Sequence, residues 1–130
     1  MKQDVQKRTN VEDRGFCSGE ALEALIVGAR FVVVPSECYE NCPLTILESQ
    51  VHGVPVLAAD IGGIPELVRD GETGELFESG NAHQLAEKIT SLWNAEARLA
   101  AYEHGCKKQH VLTAEAYCEK LERIYRGESQ

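Results

Sequence analysis

"FVVVPSECYENCPLTILESQVHGVPVLAAD", residues 31–60, decides the fold. "FVVVPS" is a short β-rich apolar run stopped by Pro35. Apolar residues on both of its faces fit a strand buried in a parallel sheet. Pro43 is placed to open a helix as its first residue. Leu44, Leu47 and Val51 would form the buried stripe of that helix, and Gly53 would end it. "VPVLAAD" is then a second strand. Strand, helix and strand in this order make a βαβ crossover and hence a parallel sheet.

The pattern extends in both directions. Upstream, Ser18 is the expected N-cap of a helix carrying Leu22, Leu25, Ile26 and Ala29. Residues 1–14, "MKQDVQKRTNVEDR", are polar and without period, and read as a flexible arm. Downstream, "IGGIPELVRDGETG" is a glycine-rich loop with a short helix opening at Pro65, and "GELF" is a third, weaker strand. Asn81 caps a helix with Leu85, Ile89, Leu92 and Trp93 on its apolar face. "EARLAAYEHGCKK" is a further helix, and a last one opens at Thr113 and carries Tyr117, Leu121, Ile124 and Tyr125. The expected fold is α/β: a short parallel sheet of about three strands, with flanking helices and C-terminal helices. Residues 127–130 form a tail.

Composition narrows the function. The 130 residues are 43% hydrophobic, 26% charged, and carry a net charge of −8. An acidic chain lacks the basic footprint of a nucleic-acid binder. No apolar run is long enough for a membrane span, and the first residues lack a signal-peptide core. Five cysteines without a Cys-x-x-Cys pair read as free thiols in a reducing cytoplasm, not as a zinc site. Neither a Walker-type loop nor a GxGxxG is present. His52 reads as a packed neutral residue, and His83, His104 and His110 as surface residues. Trp93 and Tyr117 read as packing residues.

Glu40 and Glu48 are separated by seven residues, one in the loop after the first strand and one on the following helix. Ligands of such sheets bind beyond the carboxyl ends of the strands. Leu44 and Thr45 lie in the first turn of the helix, where N–H groups lack intrahelical partners and the dipole favours an anion. Glu48 can share their face. Its carboxylate accepts hydrogen bonds and suits a vicinal diol such as ribose, and Glu40 suits hydroxyls of a second sugar. The order polyol, phosphate, ribose is that of a nucleotide-sugar. Spacing alone equally allows two solvated acids.

Roughly residues 15–126, above all 29–89 and "TAEAYCEKLERIY", resemble the C-terminal domain of retaining GT-B glycosyltransferases, the group 1 family that includes mannosyl- and glucosyltransferases, which implies a partial Rossmann-like unit over 15–126 that binds a nucleotide-sugar. Its E-x7-E signature falls on Glu40 and Glu48, and its glycine pair on Gly62 and Gly63. The resemblance implies that Glu40 contacts the donor sugar and that Glu48 holds the ribose. It also implies that the main-chain N–H groups of Asn41, Cys42, Leu44 and Thr45 meet the sugar and diphosphate. Gly62 and Gly63 either approach the nucleotide edge or simply form a turn, and Glu66 either caps or binds. Glu40 is the best candidate for the reacting centre, although no catalytic residue is assigned. The donor would be a nucleoside-diphosphate sugar, with no cofactor and no metal. Family members commonly carry Gly-Phe-Gly where this chain has Asn41-Cys42-Pro43, and proline has no N–H to offer.

Two features of this family are missing from the sequence. No Lys or Arg lies between Phe31 and Val68, whereas a diphosphate leaving group needs compensating charge. By resemblance, a basic pair belongs to the first half of the same domain and a histidine to an N-terminal acceptor domain. "NVEDRGF" carries charges where a buried strand would need apolar residues. The first strand would thus have an unpaired edge, and one sheet face would be left to the C-terminal helices. The expected partners are therefore a nucleotide-sugar, and an acceptor domain or second copy covering the sheet. The alternatives are a non-catalytic binding or assembly module, and a fragment of an epimerase or phosphorylase of the same fold.

Overall fold

A computed structural model describes residues 9–109 and 113–128. The elements run α1 (Glu20–Val27), β1 (Val32–Val34), α2 (Leu44–Val51), β2 (Val56–Asp60), α3 (Ile64–Leu67), β3 (Gly74–Glu78), α4 (Ala82–Trp93), α5 (Glu96–Lys108) and α6 (Ala114–Tyr125). The sheet is parallel, in the order β1-β2-β3, with Val33 opposite Leu57 and Leu57 opposite Glu75.

β2 is the central strand, and Val56 through Ala59 are fully buried. Because side chains alternate, β2 feeds two cores. Val56 and Ala58 pack with Ile46, Ile64 and Val68, which come from α2 and from α3 and its C-cap. Leu57 and Ala59 pack with Phe77, Leu92, Leu99 and Tyr102, which come from β3, α4 and α5. Both crossover helices thus lie on one face, as connections of one hand moving in one direction require. The other face is covered by α4 and α5, as the sequence led us to expect of the C-terminal helices. The outer edge of β1 is unpaired among the described residues.

Asn81 caps α4 by accepting from the Gln84 N–H at 2.9 Å, and Thr113 caps α6 by accepting from the Ala116 N–H at 3.2 Å. Four local expectations are corrected. The N-cap of α1 is Gly19, not Ser18; its φ of 56° suits glycine, and no side chain caps that end. Pro43 is the N-cap of α2 and not its first helical residue, because its ψ of 114° is extended. The buried stripe of α2 is Ile46, Ser49 and Gln50, whereas Leu44 (67% exposed) and Val51 (62%) face outward. Trp93 and Tyr117 are also exposed. The Trp93 ring lies 5.3 Å from the Arg30 guanidinium in a cation–π contact, and α6 buries no residue. His110 and residues 1–8 of the arm lie outside the described residues; 9–14 form no helix or strand.

β3 carries a buried charge cluster that the sequence did not announce. Glu75 is 7% exposed and accepts from Lys88 Nζ at 3.0 Å, Arg98 at 3.2 Å and Tyr102 Oη at 3.1 Å. Each carboxylate oxygen meets a cationic side chain, which offsets the cost of burying it. The cluster ties β3 to α4 and α5. Burial first, and then the Glu75 charge, push the Tyr102 phenol up to about 12.

Candidate functional site

The carboxyl ends of all three strands converge on the loop between β1 and α2. β1 delivers Ser36, whose hydroxyl donates to Glu40 Oε1 at 2.6 Å. β2 runs into Gly62 and Gly63, and the Gly63 N–H donates to the Glu40 carbonyl at 2.8 Å. β3 delivers Ser79, whose hydroxyl donates to the Ser36 carbonyl at 3.0 Å. One loop is thereby fastened from three directions.

The glycine pair has a geometric reason. A Cβ on Gly62 would stand 2.6 Å from the Glu40 carbonyl oxygen, and one on Gly63 would collide with the Asn41 carbonyl. Gly62 also has φ of 60°, where L side chains are strained. Gly63 has φ of −86°, which any residue adopts, so only the close approach demands glycine there. Both residues press on the backbone of the Glu40 loop.

α2 starts beside this loop. Pro43 is buried and points no N–H outward, and its carbonyl accepts from the Ile46 N–H at 3.1 Å. Leu44 and Thr45 are the first and second helical residues, one position earlier than Pro43 as first residue would have placed them. The N–H groups of Asn41, Cys42, Leu44 and Thr45 donate to no protein group among the described residues. They are the unpaired donors expected at a helix start and its approach. Pro43 gives α2 no side-chain cap that would occupy them.

Glu48 is exposed one turn further along α2. It borders a cleft of about 210 Å³ between α1 and α2, lined also by Gly19, Leu22, Glu23, Ile26 and His52. Its carboxylate has no side-chain partner among the described residues. His52 is not packed in a core: it is exposed, and its Nε2 lies 3.8 Å from Glu23 Oε1. Glu66 is exposed in the first turn of α3 and caps nothing; the N-cap there is Gly63. His83 and His104 are on the surface. A larger groove of about 440 Å³, with Arg30, Glu96 and Glu103, lies at the amino ends of β1 and β2, away from the loop.

The structure therefore brings Glu40, Asn41, Cys42, Leu44, Thr45, Gly62 and Gly63 to one edge, with Glu48 on the flank of α2. Ser36 and Ser79 were missed. The Pro-Ser step after an apolar run is a visible signal for Ser36, while nothing in the sequence around Ser79 marks it.

Comparison with known proteins gives a consistent result. The family model of glycosyl transferases group 1 matches residues 1–118. A D-inositol 3-phosphate glycosyltransferase of Thermobispora bispora is 36% identical over 107 residues, covering 75% of this chain and 25% of that protein. The enzyme of the same name from Mycobacterium sp. strain KMS is 41% identical over 91 residues, covering 68% of this chain and 20% of its own length. The chain thus spans a quarter or less of these relatives. Among solved structures, sucrose-phosphate synthase from Thermosynechococcus elongatus superposes with a TM-score of 0.83 at 28% identity, over 96% of this chain and 32% of that one. Anabaena Alr3699/HepE in complex with UDP gives a TM-score of 0.83 at 23% identity, over 96% and 35%, a likeness of fold.

Proposed function

This chain belongs to the glycosyl transferases of group 1, and we propose that it forms the donor-binding part of a retaining hexosyltransferase of the GT-B fold. The full enzyme would move a hexose from a nucleoside-diphosphate sugar to an acceptor hydroxyl. The observation that carries this reading is the arrangement beyond the carboxyl ends of the strands: an anchored carboxylate on Glu40, four N–H donors at and just before the start of α2, and the Glu48 carboxylate, the donors and Glu48 having no partner among the described residues.

Each part suits a different portion of the donor. Glu48 accepts from the two ribose hydroxyls, which a carboxylate can do in parallel. The N–H groups of Leu44 and Thr45 meet diphosphate oxygens, with the dipole of α2 adding a favourable field. Asn41 and Cys42 extend the row of donors towards the sugar, whose hydroxyls reach Glu40. No cofactor or metal enters this scheme. The diphosphate charge that grows as the sugar departs requires cations, and residues 31–68 contain no Lys or Arg. Those cations, and the acceptor site, belong to parts of the enzyme beyond this stretch. The edge of β1, unpaired among the described residues, and the exposed apolar residues of α6 are where such a part, or a second copy, would pack. By itself the chain should bind donor without transferring sugar, because orientation of the acceptor supplies much of the rate.

Titration of UDP, GDP and ADP against the chain and its Glu48→Ala variant tests this reading. One of the three should bind, and the variant should lose about tenfold or more in affinity, the scale of a charge-assisted hydrogen bond. Failure of all three to bind at millimolar concentration would refute donor binding.

A further inference from the structure

We propose that Ser36 is the positioning residue for Glu40, and that Ser79 sets Ser36; the inference rests on the donor-binding reading above. The Ser36 hydroxyl donates to Glu40 Oε1 at 2.6 Å, a short O–H···O bond. The same oxygen is 3.3 Å from the Cys38 carbonyl and accepts from the Cys38 N–H at 3.4 Å. A hydroxyl has one proton to give. The short contact takes it, and the oxygen is left to accept from the Cys38 N–H. Ser79, 43 positions away in sequence and just beyond β3, then fixes the Ser36 backbone through its carbonyl.

The consequence is a divided carboxylate. Oε1 of Glu40 is committed to the protein, whereas Oε2 has no partner among the described residues. A glutamate free in solution loses side-chain freedom when a ligand orders it, and that loss weakens binding. Here the loss is incurred on folding, before any ligand arrives. Glu40 presents Oε2 in one orientation, so a hydroxyl on the sugar is selected by where Oε2 points. Ser36 touches no ligand in this scheme. It acts through Glu40 and on the sugar alone.

The test uses the whole chain with Ser36→Ala and Ser36→Thr, and two readouts. The first needs no ligand: side-chain scalar couplings of Glu40 by NMR should report one rotamer in the parent and in Ser36→Thr, and averaging in Ser36→Ala. The second compares UDP with UDP-glucose and GDP with GDP-mannose by calorimetry. For the pair that binds, Ser36→Ala should lose about tenfold in affinity for the nucleotide-sugar, stay within about twofold for the diphosphate, and be rescued by Ser36→Thr. Averaged Glu40 couplings in the parent, or couplings unchanged in Ser36→Ala, overturn the positioning role. So does equal weakening of both ligands, which marks a loop that has merely collapsed. Absence of any binding by the parent refutes the donor-binding reading instead, and the sugar-holding role with it, while the couplings still decide whether Ser36 sets Glu40.

Discussion

The Gly63 N–H donates to the Glu40 carbonyl at 2.8 Å, and the Gly63 α-carbon faces the Asn41 carbonyl with no room for a methyl group. The end of β2 and the β1–α2 loop are therefore in backbone contact, and the position of Glu40 depends on a residue 23 places later.

Gly63→Ala should displace residues 39–42 without unfolding the sheet. Gly63 has an unstrained φ of −86°, so the collision is the whole effect. Amide shifts of residues 39–42 should move, and nucleotide-sugar affinity should fall about tenfold or more. Gly71→Ala is the control: its φ of 79° is strained, but nothing lies within 4 Å. Equal affinity loss in the control would show a general effect of glycine replacement on the fold, not the contact with Asn41, to be at work.

The face that α2 turns to the core is checked by Ile46→Ala and Leu44→Ala. Ile46 is fully buried against Val56, Ala58 and Ile64, so its truncation should cost about 2–5 kcal/mol in urea unfolding. Leu44 is 67% exposed, and its truncation should fall within about 0.5 kcal/mol of the parent. The reverse order would restore the stripe read from the sequence.

That stripe shows what the sequence carried and what it did not. The alternation of strand, turn and helix was legible because Pro35, Pro43, Gly53 and Pro65 punctuate it and β2 is apolar from Val56 to Ala59. The hydrophobicity of α2 misled, since Leu44 and Val51 look like core residues while buried Ser49 and Gln50 look polar. Ser49 donates to the Thr45 carbonyl at 2.6 Å, and the Gln50 amide donates to the Leu67 carbonyl at 2.9 Å, while Gln50 Oε1 is buried with no partner among the described residues. Those partners exist only in the folded chain. Glu75 was hidden for the same reason, because its cations arrive from two later helices. The Glu40 loop was legible as a candidate site, but its three fastenings involve contacts up to 43 residues apart.

Stability should decline in alkali through two buried acids. The ordinary values for Cys106 and Tyr102 are 9.0 and 10.0, and the fold raises them to about 11 and about 12. Burial is the first cause in both. A raised value means that the folded state holds its proton more tightly, so between pH 9 and 12 the unfolded state binds fewer protons. Stability is then intact below pH 9 and falls as pH rises through that window. Urea midpoints measured from pH 8 to 11.5 should show the decline, and Tyr102→Phe should make it shallower above pH 10. An unchanged slope in that variant would remove Tyr102 from the account.

The central claim, that the edge formed by the Glu40 loop and the start of α2 holds the donor nucleotide, is tested most directly by amide shift mapping. A uniformly labelled chain is titrated with the diphosphate that binds. Shifts should concentrate on Asn41, Cys42, Leu44, Thr45, Glu48 and Gly62, and Glu48→Ala should suppress them. Shifts confined to the groove around Arg30 and Glu103, or no shifts at millimolar nucleotide, would contradict it.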